Sequence, residues 1–273
     1  MIIKYYGCRG SIPAPGPKTL KYGGNTTCVS VEVGGEFIIF DAGSGLRLLG
    51  NSMLAREFGK GKGKGTFFFT HVHWDHIHGF PFFIPAYITG NRFSFWGQPA
   101  LNLSLETILS MQQQYQNFPV LFEEMPAEMD FHQVEDGVAI RVGDVKVMAR
   151  RLNHPGGVLS YSVEGDGKKF VFATDVEHYS RLDDRLAGLA DGADLLTYDA
   201  QYTPNEYLSH IGWGHSTWEE GIKVAQAAGV KTLHLTHHDP DHEDALLEQK
   251  ILKPAREKFD DVELAREDWE FTL

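Results

Sequence analysis

The segment His71-Val72-His73-Trp74-Asp75-His76 follows directly on the apolar run Thr66-Phe67-Phe68-Phe69-Thr70. Four groups able to bind a metal ion crowd into six residues, at the end of what reads as a buried strand running into a tight loop. Imidazole and carboxylate together suit Zn²⁺, Mn²⁺ or Fe²⁺. The spacing also divides the ligands. His71 and His73, two apart on extended chain, point the same way, whereas Asp75 and His76 lie beyond the turn and can face a second ion. The alternative, a merely polar loop, leaves this density of ligands unexplained.

At 273 residues the chain is long enough to bury a large core. No stretch approaches the ~20 apolar residues of a membrane span. Met1 to Tyr6 reads as a first strand, since it lacks a long apolar core and a small-residue cleavage site. A cytoplasmic location is the default expectation. Cys8 and Cys28 are too few for a disulfide framework and are expected as reduced core thiols. The net charge of −12 disfavours non-specific binding to a nucleic-acid backbone. The run Gly59-Lys60-Gly61-Lys62-Gly63-Lys64-Gly65 is a local exception, read as a flexible, soluble connector, with a grip on phosphate as the sharper alternative.

No compositional break divides the sequence, so a single domain spanning residues 1–273 is expected. Apolar runs fall into two similar halves. Strands are predicted near 2–7, 27–33, 36–41 and 66–70, with a helix near 44–58. In the second half they are predicted near 138–142, 145–152, 158–164, 168–174, 194–199 and 230–236. Leu182, Leu186 and Leu189 recur at helical spacing. Ser216 and Glu219 stand in capping-box register at the start of another helix, with Gly229 as its stop. A last helix near 243–259 contains Pro254, which should kink or end it. The stretch from about 80 to 135 is aromatic-rich and weakly periodic, and reads as an insertion covering the active-site face.

One pattern recurs at the strand ends: an apolar run, then a residue able to bind metal. Asp41, His71, His154, Asp175 and His237 each close such a run. If these strands lie side by side, all five groups gather at one edge, where sites in α/β proteins are usually found.

These residues resemble the metallo-β-lactamase superfamily in motif order: Asp41, then His71-x-His73-x-Asp75-His76, then His154, Asp175 and His237. The resemblance implies an α/β (α+β) fold, the four-layer αββα metallo-β-lactamase sandwich. It also implies two divalent ions, with His71, His73 and His154 on one, Asp75, His76 and His237 on the other, and Asp175 between them. Asp41 would fix the ligand loop rather than bind metal. His238 could compete with His237, which is favoured. The ligand set does not choose among Zn²⁺, Mn²⁺ and Fe²⁺.

Gly214-His215-Ser216-Thr217 places a further histidine before a helix, and Leu195-Leu196-Thr197-Tyr198 ends in Asp199. The segment is similar to the His-Ser-Thr segment of the phosphodiesterase branch, which includes the tRNA-processing nuclease RNase Z; there a histidine lies near the transferred phosphate and an acidic residue orients it. The strings Arg9-Gly10-Ser11-Ile12-Pro13, Tyr22-Gly23-Gly24-Asn25-Thr26 and Gly212 to Glu220 look like those of bacterial hydrolases related to cyclic-nucleotide phosphodiesterases. His78, His132, His178, His210, His234 and His242 have no matched role.

The resemblance therefore implies a dinuclear phosphodiesterase for a small substrate, a cyclic nucleotide foremost. Hydroxide held between the ions would attack phosphorus, His215 would act as general acid, oriented by Asp199, and Asp75 would assist proton traffic. RNase Z-like cleavage of precursor tRNA is the alternative. Only 20 residues separate His154 from Asp175, where RNase Z enzymes commonly insert a tRNA-gripping arm, so nucleic acid is the less favoured partner. Lactone, thioester or β-lactam hydrolysis would leave His215 and Asp199 without a task. A metal-binding sensor that hydrolyses nothing is the non-enzymatic reading. Homodimers are frequent among such relatives, which makes a homodimer an expectation by analogy; no membrane partner is expected.

Overall fold

A computed structural model describes residues 1–273. The first half of the chain supplies strands β1 (Ile2–Gly7), β2 (Cys28–Val33), β3 (Glu36–Phe40), β4 (Lys64–Phe68), β5 (Arg92–Gly97) and β6 (Glu128–Gln133). The second supplies β7 (Ala139–Val142), β8 (Val145–Leu152), β9 (Val158–Gly165), β10 (Lys168–Ala173), β11 (Leu195–Asp199), β12 (Thr232–Thr236) and β13 (Val262–Leu264), and β14 (Glu270–Thr272) returns to the first sheet. Two seven-stranded sheets result, in the orders β14-β1-β2-β3-β4-β5-β6 and β13-β12-β11-β10-β9-β8-β7. Each is antiparallel on one side and parallel on the other: β3 to β6 run parallel in the first, β10 to β13 in the second.

Alternation along the strands builds the layers. Ile38, Phe40 and Phe68 point between the sheets, where they meet Val147, Tyr161, Phe170 and Phe172 of the second sheet. Ile39, Phe67 and Phe69 point the other way, into a core shared with Leu46, Leu49 and Met53 of helix α1 (Leu46–Met53). On the opposite outer face, Leu196, Tyr198, Leu233 and Leu235 pack against helices α4 (Asp184–Ala190) and α6 (Trp218–Ala227). The helices between these in the chain are α2 (Trp74–Ile77), α3 (Leu105–Gln112) and α5 (Pro204–Tyr207). The order is helix, sheet, sheet, helix, the αββα sandwich that the sequence suggests. Both faces of the central strands are buried, so they read as unbroken apolar runs.

Several boundaries differ from the sequence reading. The stretch 80–135, read as an insertion, supplies β5 and β6, which extend the first sheet beyond β4. The N-cap of α6 is Thr217, whose hydroxyl accepts the Glu220 N–H, one residue later than the register expected from Ser216 and Glu219. Ser216 instead accepts a hydrogen bond from the Tyr198 hydroxyl at 2.9 Å. Near Pro254 the last helix widens into π-type turns over Leu247–Leu252 before resuming at Lys253–Arg256. A proline has no N–H for the preceding carbonyl and its ring crowds that turn, and a wider turn relieves both. No helix is long and apolar enough to cross a membrane.

Candidate metal centre

The carboxyl ends of β3, β4, β8, β10, β11 and β12 deliver their following residues to one edge of the sandwich. Three of these residues take left-handed backbone: Asp41 at φ 59°, Asp175 at φ 57° and His237 at φ 60°. Such conformations cost about 1–3 kcal/mol each for non-glycine residues and persist only where surrounding contacts fix them. Here the fixing contacts are hydrogen bonds around the ligand atoms. His71, His73 and His154 form one group, and Asp75, His76, Asp175 and His237 a second; within each, the potential ligand atoms lie within 4.8 Å of one another.

Three of the imidazoles are held through the nitrogen that faces away from their group. His76 Nδ1 lies 2.8 Å from Asp41 Oδ2, His154 Nδ1 lies 2.8 Å from the Gly214 carbonyl, and His237 Nδ1 lies 2.9 Å from Gln201 Oε1. Partners of this kind fix the tautomer and leave Nε2 with a lone pair aimed inward. Asp41 also accepts the backbone N–H and hydroxyl of Thr70, both at 2.8 Å, and so ties the start of the ligand loop to β3. Asp41 thus braces the cluster from outside.

The inward nitrogens of His71, His76 and His237 are buried without any hydrogen-bond partner. His76 Nε2 and His237 Nε2 each lie 3.2 Å from Asp175 Oδ2 and 3.3 Å from Asp75 Oδ2. His154 Nε2 and His73 Nδ1 are 3.1 Å apart. Ligand bonds of about 2.0–2.2 Å around a four-coordinate ion put neighbouring donors roughly 3.3–3.6 Å apart. These separations and unpartnered inward nitrogens fit a divalent ion in each group. Asp175 faces both, with Oδ2 toward His76 and His237 and Oδ1 3.7 Å from His71 Nε2.

Electrostatics follow from the crowding. Burial opposes charge on His76 and His237, but the carboxylates of Asp175 and Asp75 outweigh it; His76 is raised well above the ordinary imidazole value and His237 is pushed up to about 9. Burial pushes Asp175 and Asp75 up, yet the neighbouring imidazoles prevail and hold both below the usual carboxylate range. His71, buried among other imidazoles, is lowered.

Beside the cluster stands a further pair: His215 has a ring nitrogen within 4.8 Å of ligand atoms of His154 and Asp175, and His215 and Asp199 likewise of His237. His215 Nδ1 lies 3.0 Å from Asp199 Oδ2, and the His215 ring stacks on that of His237 at 4.9 Å. Asp199 is fully buried and accepts three backbone N–H groups as well, from Asp175, Gln201 and Ser216. One carboxylate therefore joins the ends of β10 and β11 to the loop that carries His215. That loop needs its glycine: Gly214 has φ 95°, and a Cβ there would lie 2.2 Å from His154 Nδ1. Gly10 is similar, since a Cβ on it would lie 2.3 Å from His237 Nδ1.

All nine residues singled out in the sequence for this site converge here. His238 does not: it is buried behind the site, with Nε2 2.8 Å from the Ala265 carbonyl. Cys8 and Cys28 are buried free thiols outside both groups. His78, His132, His178, His210, His234 and His242 find protein partners elsewhere. Sequence reasoning missed Gln201 and Glu177, and marked Ser11 only as part of the string at residues 9–13. Ser11 donates its backbone N–H to Asp75 Oδ2 at 2.8 Å. Glu177 lies two residues beyond Asp175, within reach of the strand-end pattern, whereas the uncharged Gln201 offered no such signal.

A sequence model of the beta-lactamase superfamily domain matches residues 37–238. Ribonuclease Z of Brevibacillus brevis is 24% identical over 284 residues, covering 84% of this chain and 86% of its own length. Ribonuclease Z of Methanothermobacter thermautotrophicus is 23% identical, covering 97% and 94%. Among solved structures, human tRNase Z, short form, superposes with a TM-score of 0.70 at 18% identity, over 100% of this chain and 99% of its own. Unliganded yeast PDE1 superposes at 0.72 with 14% identity, over 100% and 99%. The fold is common to all of these, and with most of its length inside the matched span the chain belongs to the beta-lactamase superfamily.

Proposed function

We propose that this protein is a metal-dependent hydrolase of phosphodiester bonds. His71, His73 and His154 would hold one divalent ion, Asp75, His76 and His237 the other, and Asp175 would face both. When bound, such ions supply Lewis acidity toward water and toward the phosphoryl oxygens. The observation that carries the reaction class is the His215–Asp199 pair at 3.0 Å beside the cluster. Phosphodiester cleavage expels an alkoxide, a poor leaving group that needs a proton. With Nδ1 engaged by Asp199, His215 presents Nε2 as the proton donor, and the proton passes to the leaving oxygen as the P–O bond breaks. Asp75 receives the proton that the attacking water gives up. A thioester, whose thiolate departs without a proton, would give the pair no comparable task.

For the substrate we favour a small phosphodiester, a cyclic nucleotide foremost. The interval between His154 and Asp175 is filled by β9 and β10, joined by the short turn around Asp166 and Gly167, which leaves no chain for a separate RNA-gripping arm. The net charge of −12 also works against a polyanion. RNase Z-like cleavage of tRNA is the second reading, and the names of the curated relatives favour it. The reaction class is tested by hydrolysis of bis(p-nitrophenyl) phosphate against a lactone and a β-lactam with Mn²⁺- or Zn²⁺-loaded protein. Turnover of the phosphodiester alone is expected. Turnover of the lactone or lactam without the phosphodiester would overturn the assignment.

A further inference from the structure

A cavity of about 700 Å³ opens beside His154. Its lining includes Glu177, His178, Tyr179, Tyr207 and Ile211. Its size lies within the range of pockets that hold organic ligands, roughly 300–1,000 Å³. Its chemistry is selective in one respect: the lining contains no lysine or arginine. The one carboxylate, Glu177, is already engaged. It accepts the N–H of Gly212 and, at 3.0 Å, that of Gly214, and the Tyr207 hydroxyl lies 3.3 Å away.

The surfaces left for a ligand are flat or apolar. The His178 and Tyr207 rings lie 4.1 Å apart, tilted by 33° to each other. Tyr179 and Ile211 are 50% and 64% exposed, and Trp213, next in the chain to Gly212, is 62% exposed. No neighbour in the chain covers these side chains, although they sit on the two loops that also carry Asp175 and His215. A wall without lysine or arginine offers a phosphate chain no counter-charge but suits a neutral aromatic ring, because stacking needs no charge. His154 belongs both to this cavity and to the first group of metal-binding residues, so a ligand seated here would have its phosphate end at the cluster.

We propose that this cavity binds the nucleoside part of the substrate, the base lying against Tyr179 and Ile211 while the phosphodiester meets the cluster. The inference rests on the phosphodiesterase reading and adds to it where the discriminating contacts are. It assigns the substrate as a single nucleoside phosphodiester rather than an RNA chain, whose flanking phosphates would need cations that this wall lacks.

The test compares thymidine 5′-(p-nitrophenyl phosphate) with p-nitrophenyl methyl phosphate on metal-loaded protein. The two share a leaving group and differ only in the nucleoside. The wild type should prefer the nucleoside ester in kcat/KM, and Tyr179→Ala and Ile211→Ala should each lower that preference by about 10–100-fold. Both side chains are half exposed or more, so folding does not confound the comparison. A preference that neither variant moves would overturn the proposal. Failure of the wild type to hydrolyse either ester would count against the phosphodiesterase reading instead. In that case binding of thymidine alone, followed by saturation-transfer NMR, decides the cavity: binding lost in Tyr179→Ala supports it, and no binding to the wild type overturns it. Cleavage of a tRNA precursor without turnover of the nucleoside ester would also overturn it.

Discussion

At the scale of single residues, the centre depends on nitrogens held from behind. Gln201 is the least expected of these holders: its amide oxygen fixes His237 Nδ1 at 2.9 Å, and no charge on Gln201 announces it in the sequence. Gln201→Ala is expected to weaken metal affinity by about 10–100-fold while the fold persists, as read by competition with a chelator. A second consequence concerns protons. In the metal-free protein, His76 and His237 sit among carboxylates that raise them, His237 to about 9. Their folded values exceed the unfolded one of about 6.5, so their charge stabilises the metal-free fold fully below that pH. The contribution is lost as pH rises through about 9. Asp75 and Asp175, held low, contribute above about 3.9 and lose that contribution as pH falls. The metal-free Tm should therefore fall between pH 6 and pH 9. Metal uptake at pH 7 should release protons, since ligating imidazoles must be neutral. Calorimetric titration in buffers of differing ionisation enthalpy measures that release, and uptake with no release would contradict the protonated state assigned to His76 and His237.

At the scale of elements, what was legible in the sequence was what is buried on both faces. β3, β4, β10, β11 and β12 are short runs rich in apolar and β-branched residues that lead into a ligand or an acid, and their positions follow from that. The edges were harder to read. β6 carries Met129 and Phe131 on the helix side and Glu128, Asp130 and His132 on the other, a half-exposed pattern within an aromatic-rich stretch. β13 and β14 are only three residues each and take their definition from pairing with distant strands, β12 and β1. The partners of the ligands were hidden for a related reason. Glutamine and a glycine carbonyl carry no compositional signal, and only the folded loops bring them to His237 and His154. The inter-sheet core that holds the strand ends in register centres on Phe40, whose ring meets Phe68, Tyr161, Phe170 and Phe172. Phe40→Ala should destabilise by ~3–5 kcal/mol in denaturant unfolding. A loss below ~1 kcal/mol would mean that the two sheets are not locked together there.

At the scale of the whole molecule, each sheet brings part of the centre, and neither alone completes it. The first supplies Asp41 and the loop from His71 to His76; the second supplies His154, Asp175, Asp199, His215 and His237. The chain as a whole carries a net charge of −12, which suits a substrate with little charge beyond the scissile phosphate. Hydrolysis of a small phosphodiester should accordingly respond weakly to salt, less than about threefold in kcat/KM between 50 and 200 mM. A fall of ~10³ or more over that range would indicate a polyanion held at many phosphates. The most direct test of the account is the turnover of His215→Ala, with metal content measured, on two phosphodiesters. One releases an alkoxide, as a cyclic nucleotide does, and the other releases p-nitrophenolate, which departs without a proton. The account predicts unchanged metal content, a loss of ~10²–10⁴ for the alkoxide ester and a much smaller loss for the nitrophenyl ester. Equal losses for both esters, or loss of metal from the variant, would contradict the role of His215 as the proton donor.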